Sequence, residues 1–374
     1  MAPPPPTVLF VAALGLTLEG VVAPVSRALE SHGFRRVAVA GRGSVTPSLR
    51  RSFDEVHEIT PFRRAGLGGL VRAGRDLARI VRDERPALLH LHTPYAIALG
   101  RVVARATRTR HLAVVHGTLF GAAGRSGRIF AAVESASARF TPWYVTENPD
   151  DQASYRRLAP RSQVRLAPCG GAGVDVVGLR AARRRADEGG HRAPRVLIMG
   201  RLTPDKNLDL AVAAWRLARQ TRPDLELRVV GSTVAREPSW APPEEAGIVP
   251  AGWTDDPAAE LAAADVVLLT SLREGFPLVV TEALVVGTPV VVVDNRGTRA
   301  VARHVREGLL LVPPDATALA LALLAQLRAR TVQIRPESLL AWQREDVAAF
   351  HADRILEAVG GMPTGVARGA GPDR

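Results

Sequence analysis

A turn that carries two cations follows an apolar segment in the second half of the chain. Residues 196–199 are Val-Leu-Ile-Met, and residues 200–207 are Gly-Arg-Leu-Thr-Pro-Asp-Lys-Asn, followed by a helical pattern. Backbone N–H groups and the positive end of a helix favour phosphate at such a turn. Arg201 and Lys206 can therefore neutralise a diphosphate without a metal ion. Lys206 is the only lysine among 49 basic residues, which indicates a need for a compact ammonium group.

Two glutamates bracket the start of a later helix. Residues 271–278 are Ser-Leu-Arg-Glu-Gly-Phe-Pro-Leu, and Glu282 lies two turns into the helix that should begin near Pro277. Apolar residues flank Glu282, and a charge without a partner is costly in such a place. A ribose diol would supply that partner, because a carboxylate can accept two hydrogen bonds. Read instead as a general acid and base, Glu274 and Glu282 would suit a hydrolase.

Strand-like apolar runs alternate with amphipathic helical stretches along the whole chain, which predicts α/β domains with parallel sheets. A length of 374 residues favours two domains. We place the first at residues 1–178, a linker at 179–194 and the second domain at 195–340. A last helix at 341–359 should return to the first domain, and we expect the tail at 360–374 to be disordered.

Together these residues resemble the retaining nucleotide-sugar glycosyltransferases of family 4. The strongest part of the resemblance is Gly-Arg-Leu-x-Pro-x-Lys-Asn at 200–207 followed by Glu-x7-Glu from Glu274 to Glu282. It implies the GT-B fold, with two Rossmann-like doubly wound domains facing a cleft. It implies that Arg201 and Lys206 hold the diphosphate, Glu282 the ribose and Glu274 the transferred sugar.

The resemblance assigns further residues to the donor site. It implies that Gly275, Phe276, Pro277 and Leu278 line that site, with Trp253 near the base and Gly15 near the phosphates. His116 matches the histidine of the family that contacts the donor sugar. His90 and His92 are interpreted as structural or acceptor-side residues. The sequence departs from the family pattern at Ala300, where glutamate is common, and at Leu119, where a second histidine is frequent.

The resemblance also implies the chemistry and the partners. It implies retention without a protein nucleophile, metal independence and no cofactor. The donor would be a nucleotide-diphosphate sugar, most simply a UDP-hexose or UDP-N-acetylhexosamine. The acceptor would be a saccharide or a lipid-linked one, and the Arg-Gly-x-Arg form at 296–299 favours a polyprenyl diphosphate carrier, as in capsule, O-antigen and N-glycan assembly. No nucleic acid partner is expected.

Composition limits the setting. One cysteine, Cys169, excludes an internal disulfide and fits a reducing compartment, so we expect a cytoplasmic protein. Residues 1–178 hold 24 arginines against 13 carboxylates. This basic half could contact an anionic membrane at its inner face, a phosphorylated acceptor or solvent alone.

Three alternatives to the main hypothesis stay open at this stage. A glycosyltransferase of this kind could act on a soluble secondary metabolite. A non-hydrolysing nucleotide-sugar epimerase could share the fold, and it would form product without an acceptor. A non-catalytic protein that binds an anionic surface is a third class, against which the intact residues Glu274, Glu282, Arg201 and Lys206 argue.

Overall fold

The chain forms two compact units. The computed structural model describes residues 4–62, 66–118, 124–168, 170, 173–186, 193–233, 240–329 and 331–360. The first unit consists of the residues up to Thr146, Asp151–Ala167 and the segment from Glu345 onward. The second unit consists of Glu147–Asp150 and Pro168–Arg344. Each unit is an α/β domain built on its own parallel sheet.

The sheet of the first unit has seven parallel strands. In chain order these are β1 (Thr7–Val11), β2 (Arg35–Gly41), β3 (Glu55–Ile59), β4 (Leu88–His92), β5 (His111–Val115), β6 (Trp143–Thr146) and β7 (Gln163–Leu166). Their order in the sheet is β3-β2-β1-β4-β5-β6-β7. Every residue of β1, β4 and β5 is buried, which explains why these strands are nearly continuous apolar runs.

Helices cover both faces of this sheet. They are α1 (Gly15–Thr17), α2 (Ala23–Ala28), α3 (Pro47–Arg51), α4 (Gly66–Glu84), α5 (Pro94–Thr107), α6 (Gly124–Ser137) and α7 (Pro149–Leu158), with a π-helical turn at Leu18–Val22. In α4 the apolar positions Ala73, Leu77 and Ile80 are buried. The arginines on the opposite face of α4 are exposed, so the helix is amphipathic as its spacing predicts.

The second unit repeats the design. Its strands are β8 (Arg195–Met199), β9 (Glu226–Val230), β10 (Ile248–Gly252), β11 (Val266–Leu269), β12 (Val290–Val293), β13 (Val305–Glu307), β14 (Leu309–Val312) and β15 (Gln333–Ile334). Six of them form a parallel sheet in the order β10-β9-β8-β11-β12-β14, and β13 pairs with β15 separately. The helices are α8 (Val176–Ala186), α9 (Leu208–Thr221), α10 (Pro257–Ala262), α11 (Leu278–Val286), α12 (Arg296–Ala302), α13 (Ala316–Ala329) and α14 (Pro336–Ala341).

The linker predicted at 179–194 is wrong over its first half. Residues 179–186 belong to α8, and Leu179 and Ala182 are buried in the core of the second unit with Val174 and Val176. Their three-residue spacing makes one helical face, which the run of three arginines at 183–185 obscures. Residues 187–192 lie outside the described residues. The predicted boundary at 178 also shifts, because the second unit begins at Pro168 and includes Glu147–Asp150.

The last helix is α15 (Arg344–Val359), and the residues from Glu345 onward belong to the first unit. Ala352, Ile355 and Ala358 are buried in the same core cluster as Val8 and Phe10 of β1. Of the predicted tail only Gly360 is described, and residues 361–374 lie outside the described part of the chain. Within the described part, no helix is long and apolar enough to cross a membrane.

Candidate active site

The topology of the second sheet selects one edge for ligand binding. From β8 the chain adds β9 and β10 on one side, and from β11 it adds β12 and β14 on the other. The strand order therefore reverses between β8 and β11, which are direct neighbours. Open α/β sheets bind ligands at the carboxyl ends of strands beside such a reversal. Both segments singled out in the sequence, the turn after β8 and the loop after β11, begin there.

The two segments are joined by direct contacts. The ammonium of Lys206 lies 2.7 Å from Oε1 of Glu274, and both side chains are largely buried. The hydroxyl of Thr270 donates to the backbone oxygens of Lys206 and Asn207, each at 2.9 Å. The amide of Leu272 donates to the oxygen of Asp205 at 3.0 Å. Lys206, which is predicted to bind phosphate, and Glu274, which is predicted to bind the sugar, thus form one ion pair.

Arg201 lies at the start of the same turn. Its guanidinium is 3.6 Å from a carboxylate oxygen of Asp205. The backbone at Gly200 and the backbone at Gly231 lie very close together, since a Cβ on Gly231 would be 1.8 Å from the oxygen of Gly200. Both glycines have positive φ, a conformation open chiefly to glycine. The structure therefore places Arg201 and Lys206 on one short turn, as the sequence motif implies.

Glu282 is a partly buried residue in the middle of α11, between buried neighbours. Burial raises the pKa of its carboxyl, and the positive charge of Arg344 opposes that effect only in part. Among the described residues we find no hydrogen-bond or ion-pair partner for this carboxylate. A buried carboxylate without a partner is costly, and a ligand that donates two hydroxyls would remove that cost. The helix also starts with backbone N–H groups that have no acceptor within the helix.

The loop that carries Glu274 is braced by residues whose roles the sequence analysis missed. The side-chain amide of Asn148 donates to the oxygen of Gly275 at 3.0 Å, and that of Asn295 donates to the oxygen of Ser271 at 3.1 Å. Asn295 also forms a capping box with Thr298 at the start of α12. A Cβ on Gly297 would lie 2.7 Å from the oxygen of Glu274. These contacts fix the position of Glu274.

Phe276 is largely a packing residue. Its ring is buried and lies within 6.5 Å of the rings of His304 and Trp342. A Cβ on Gly170 would lie 1.9 Å from this ring. Pro277 is also buried and precedes the first residue of α11, Leu278. Packing therefore accounts for the side chains at 276 and 277, and contact with the donor through the backbone stays a prediction.

The remaining residues predicted at the donor site are Trp253 and Gly15. Trp253 follows β10 and is 62% exposed, so one face is open for stacking. Gly15 lies in the first unit, where its amide donates to the hydroxyl of Ser44 at 2.9 Å. A Cβ there would lie 2.0 Å from the oxygen of Ser44. Close packing explains this glycine, and its predicted role at the phosphates is untested.

His116 also lies in the first unit, directly after β5. Its Nε2 is 2.8 Å from Nδ1 of His92, and Nε2 of His92 is 2.8 Å from Nδ1 of His90. Thr93, which follows His92, has φ 71° and ψ 147°. That conformation is rare for residues other than glycine, and such strain is typical of functional sites. The three histidines thus form a connected group at the carboxyl ends of β4 and β5.

The arginine motif at 296–299 is partly committed to protein contacts. Arg299 lies 2.8 Å from a carboxylate oxygen of Asp294 and 3.5 Å from one of Asp150. Both carboxylates balance its charge. Ala300, at the position where the family often has glutamate, is buried in the core of the second unit. Leu119, the other departure, lies outside the described residues.

Within the described residues, Glu55, His57 and Glu84 have ligand atoms close enough together to hold a metal ion. Arg35 pairs with both carboxylates. The cluster is therefore already balanced by a guanidinium. Metal independence of the predicted reaction stays a prediction.

Comparison with known proteins finds family matches in both halves of the chain. A family model described as Glycosyltransferase Family 4 matches residues 18–170, and one described as Glycosyl transferases group 1 matches residues 193–329. The putative glycosyltransferase EpsD of Bacillus subtilis is 24% identical over 84% of this chain and 85% of its own length. The D-inositol 3-phosphate glycosyltransferase of Jonesia denitrificans is 30% identical over 42% of this chain and 40% of its own length.

Solved structures show the same fold. Anabaena HepE, in complex with UDP and glucose, has a TM-score of 0.67 and 17% identity, covering 95% of this chain and 99% of that one. The α,α-trehalose 6-phosphate synthase of Burkholderia multivorans has a TM-score of 0.69 and 16% identity over 95% and 98% of the two chains. With two parallel-sheet units and a family match in each, the chain is a glycosyltransferase of the GT-B fold, built from a Glycosyltransferase Family 4 domain and a Glycosyl transferases group 1 domain.

Proposed function

We propose that the protein is a metal-independent, retaining glycosyltransferase that uses a UDP-hexose or UDP-N-acetylhexosamine as donor. The observation that carries the proposal is the meeting of Lys206 and Glu274 at the strand reversal of the second sheet. Lys206 and Arg201 would hold the diphosphate, because guanidinium and ammonium groups can balance its charge without a metal. Similarity of fold to HepE, solved with UDP and with UDP-glucose, supports the choice of UDP.

Glu282 is assigned to the ribose of the donor. Burial disfavours the charge of its carboxylate, and two ribose hydroxyls would stabilise that charge by hydrogen bonds. Glu274 would receive the transferred sugar, since its loop is held in place by Asn148 and Asn295. His116 is assigned to the donor sugar because it matches the family histidine that contacts that sugar.

The chemical step follows from these assignments. The bond between the sugar and the diphosphate breaks, the acceptor oxygen forms the new bond on the same face, and the departing phosphate accepts the proton of the acceptor hydroxyl. Lys206 and Arg201 would stabilise the negative charge that develops on that phosphate. No nucleophile from the protein is needed.

For the acceptor we propose a polyprenyl-diphosphate-linked saccharide, met in the cytoplasm at an anionic membrane face. The excess of 24 arginines over 13 carboxylates in residues 1–178 supports an anionic partner. The ion pairs of Arg299 with Asp294 and Asp150 mean that this arginine must exchange partners to bind a diphosphate. A soluble metabolite is the alternative acceptor.

Calorimetric titration of UDP, GDP and ADP into the wild type in the presence of EDTA tests the donor site. We expect one nucleotide, UDP, to bind, and Glu282→Gln to weaken it about tenfold or more, the value of one or two hydrogen bonds to a charged group. Glu307→Gln, an exposed glutamate on β13, serves as the control. Absence of binding by all three nucleotides contradicts the proposal, and product formed without acceptor would favour the epimerase.

A further inference from the structure

A cavity opens at the amino ends of β4 and β5 in the first unit. Its volume is about 660 Å³, and it is lined by the last turns of α4 and α5, the residues that follow them and Val359 at the end of α15. Cavities of this size bind small ligands. His92 and His116 lie at the carboxyl ends of the same two strands. Five residues of a strand span roughly 15 Å, so the cavity is separate from the histidine group.

Positive charge dominates the lining of this cavity. The eleven described lining residues include Arg82, Arg85, Arg108 and Arg110 and contain no Asp or Glu. The chain as a whole has 49 basic residues among 374, so the four arginines are a local concentration. A guanidinium offers a planar fork of N–H donors that matches the oxygens of a phosphate group. The lining therefore has the chemistry of a phosphate site.

Carboxylates do not balance these four charges. Within the described part of the chain, none of the four arginines forms an ion pair. Glu84, the last residue of α4, pairs with Arg35 instead, and Asp83 is exposed and does not line the cavity. Arg110 donates to the backbone oxygen of Ala358 at 3.4 Å, a contact that leaves its charge in place. An anion in the cavity would supply the missing negative charge.

The backbone is strained at two of the four arginines. Arg85 and Arg108 each follow the last residue of a helix, with φ of 44° and 55°. Their amides donate to the oxygens of Val81 and Ala104, four residues back. Glycine is the usual residue in this conformation at a helix end. A cation also suits the end of a helix, but an arginine within the last turn would supply it without strain. Strain of this kind is typical of functional positions, so the two side chains indicate a function that glycine would not serve.

We propose that this cavity is a phosphate-binding site formed by Arg82, Arg85, Arg108 and Arg110. Two sources present this chemistry, a free phosphorylated molecule and the headgroup of a membrane lipid. Both offer the same oxygens to the guanidinium groups. The site lies at the edge of the first sheet opposite to His116, so it does not depend on the proposed donor or acceptor.

Titration of inorganic phosphate into the 15N-labelled protein, followed through the arginine Nε–Hε signals, tests the site. Single variants Arg85→Gly, Arg108→Gly and Arg82→Gln identify the signals. We expect those of Arg85 and Arg108 to shift and saturate with one common Kd. In the double variant Arg85→Gly/Arg108→Gly, the Kd followed at Arg82 should be weaker by about tenfold or more, because hydrogen bonds to a charged group are lost. Glycine adopts positive φ without strain, so thermal unfolding should show a variant at least as stable as the wild type.

The matched control is the double variant Arg72→Gln/Arg75→Gln. It removes the same charge from exposed positions of α4 that do not line the cavity, and its affinity for phosphate should equal that of the wild type. Equal weakening in both double variants, or no saturating shift at Arg85 and Arg108, overturns the proposal. Lys206→Ala should lose affinity for UDP and keep the phosphate response, so failure of the donor site and failure of this site are distinguishable.

Sedimentation with vesicles separates the two sources of phosphate. Phosphatidylcholine vesicles with about one fifth phosphatidic acid present phosphate monoesters on an anionic surface. Binding of the wild type and of the control, together with loss of binding in Arg85→Gly/Arg108→Gly, assigns the phosphate to a lipid headgroup. Saturating shifts with inorganic phosphate, without an effect of that variant on vesicle binding, assign it to a free phosphorylated molecule.

Discussion

Lys206 and Glu274 are 68 residues apart in the sequence, and their charged atoms lie 2.7 Å apart in the fold. Each segment follows a central strand of the second sheet, and β8 and β11 are paired side by side. In the protein without ligand, each charge is balanced by the other. Under the proposed function, a diphosphate that replaces Glu274 at the ammonium leaves this carboxylate to accept from a new donor group, such as a hydroxyl of the sugar. The ion pair would then couple recognition of the two ends of the nucleotide sugar.

Lys206→Ala should weaken binding of UDP by about ten- to a hundredfold, because a hydrogen bond between charged groups is lost. The affinity for UMP, which has no β-phosphate, should fall much less in this variant. Lys206→Arg should recover only part of the affinity, since a planar guanidinium places its donors differently from an ammonium. Calorimetry with both nucleotides measures these effects.

A matched control for this experiment is Arg216→Ala, which removes an exposed ion pair with Glu245 in the same unit. Its affinity for UDP should equal that of the wild type. Equal losses of UDP and UMP affinity in Lys206→Ala would show that Lys206 does not contact the β-phosphate.

Glu282→Gln should make the protein without ligand more stable at neutral pH. Burial raises the pKa of Glu282 above its unfolded value of 4.5. The stability linked to this group is therefore full below pH 4.5 and is lost as the pH rises through the folded pKa. The amide of glutamine carries no charge and avoids that loss.

Thermal unfolding of wild type and Glu282→Gln, with and without UDP, measures both consequences. Without UDP the variant should unfold at a higher temperature than the wild type at pH 7, and the two should converge near pH 4. UDP should raise the unfolding temperature of the wild type much more than that of the variant, because stabilisation by a ligand increases with its affinity. A variant less stable than the wild type at pH 7 without ligand would show that the carboxylate already has a strong partner.

The buried strands and the charged turns could be predicted from the sequence, whereas the strands at the edges of the sheets could not. Helix α9 (Leu208–Thr221) has regularly spaced apolar residues, which give a clear helical pattern. Strands β3 and β7 lie at the edges of the first sheet, and their half-exposed residues carry too few apolar side chains to give a pattern. Helix α8 was missed because charge at one end concealed a short apolar face.

The candidate site shows the same division. The residue types and spacing at 200–207 and 274–282 were sufficient to single out two segments that the fold brings together at Lys206 and Glu274. The contacts that brace it were not predictable, because they join distant segments through backbone oxygens. Asn148 reaches Gly275, and Gly297 lies against Glu274. The local sequence around these residues gives no sign of either contact.

Gly297→Ala should impair catalysis more than it impairs folding. The added Cβ would lie within 2.8 Å of the backbone oxygen, the carbonyl carbon and Cβ of Glu274. The loop must shift to relieve this contact, and small displacements of a positioned group reduce rates by roughly ten- to a hundredfold. Transfer assays should show the loss in kcat, while the thermal unfolding midpoint stays near that of the wild type. Gly68→Ala is the control, because a Cβ there meets no atom within 4 Å, and a comparable loss in it would remove the argument.

His111 should make the stability of the first unit depend on pH. This residue begins β5 and lies within hydrogen-bonding distance of Thr141. Burial, assisted by the nearby charge of Arg101, lowers its pKa from 6.5 to about 4. The linked stability is present above pH 6.5 and is lost as the pH falls through about 4, at a cost on the order of 2 kcal/mol between pH 8 and pH 5.

Urea unfolding followed by circular dichroism at pH 8 and pH 5 measures this dependence. His111→Gln keeps a polar group near Thr141 and cannot be protonated in this range, so the variant should lose less stability than the wild type on acidification. His32→Gln, on the surface turn Glu30–His32, should behave as the wild type does. If His111→Gln and the wild type lose equal stability between the two pH values, His111 is protonated in the folded protein as easily as in the unfolded chain, and other groups must account for the acid sensitivity.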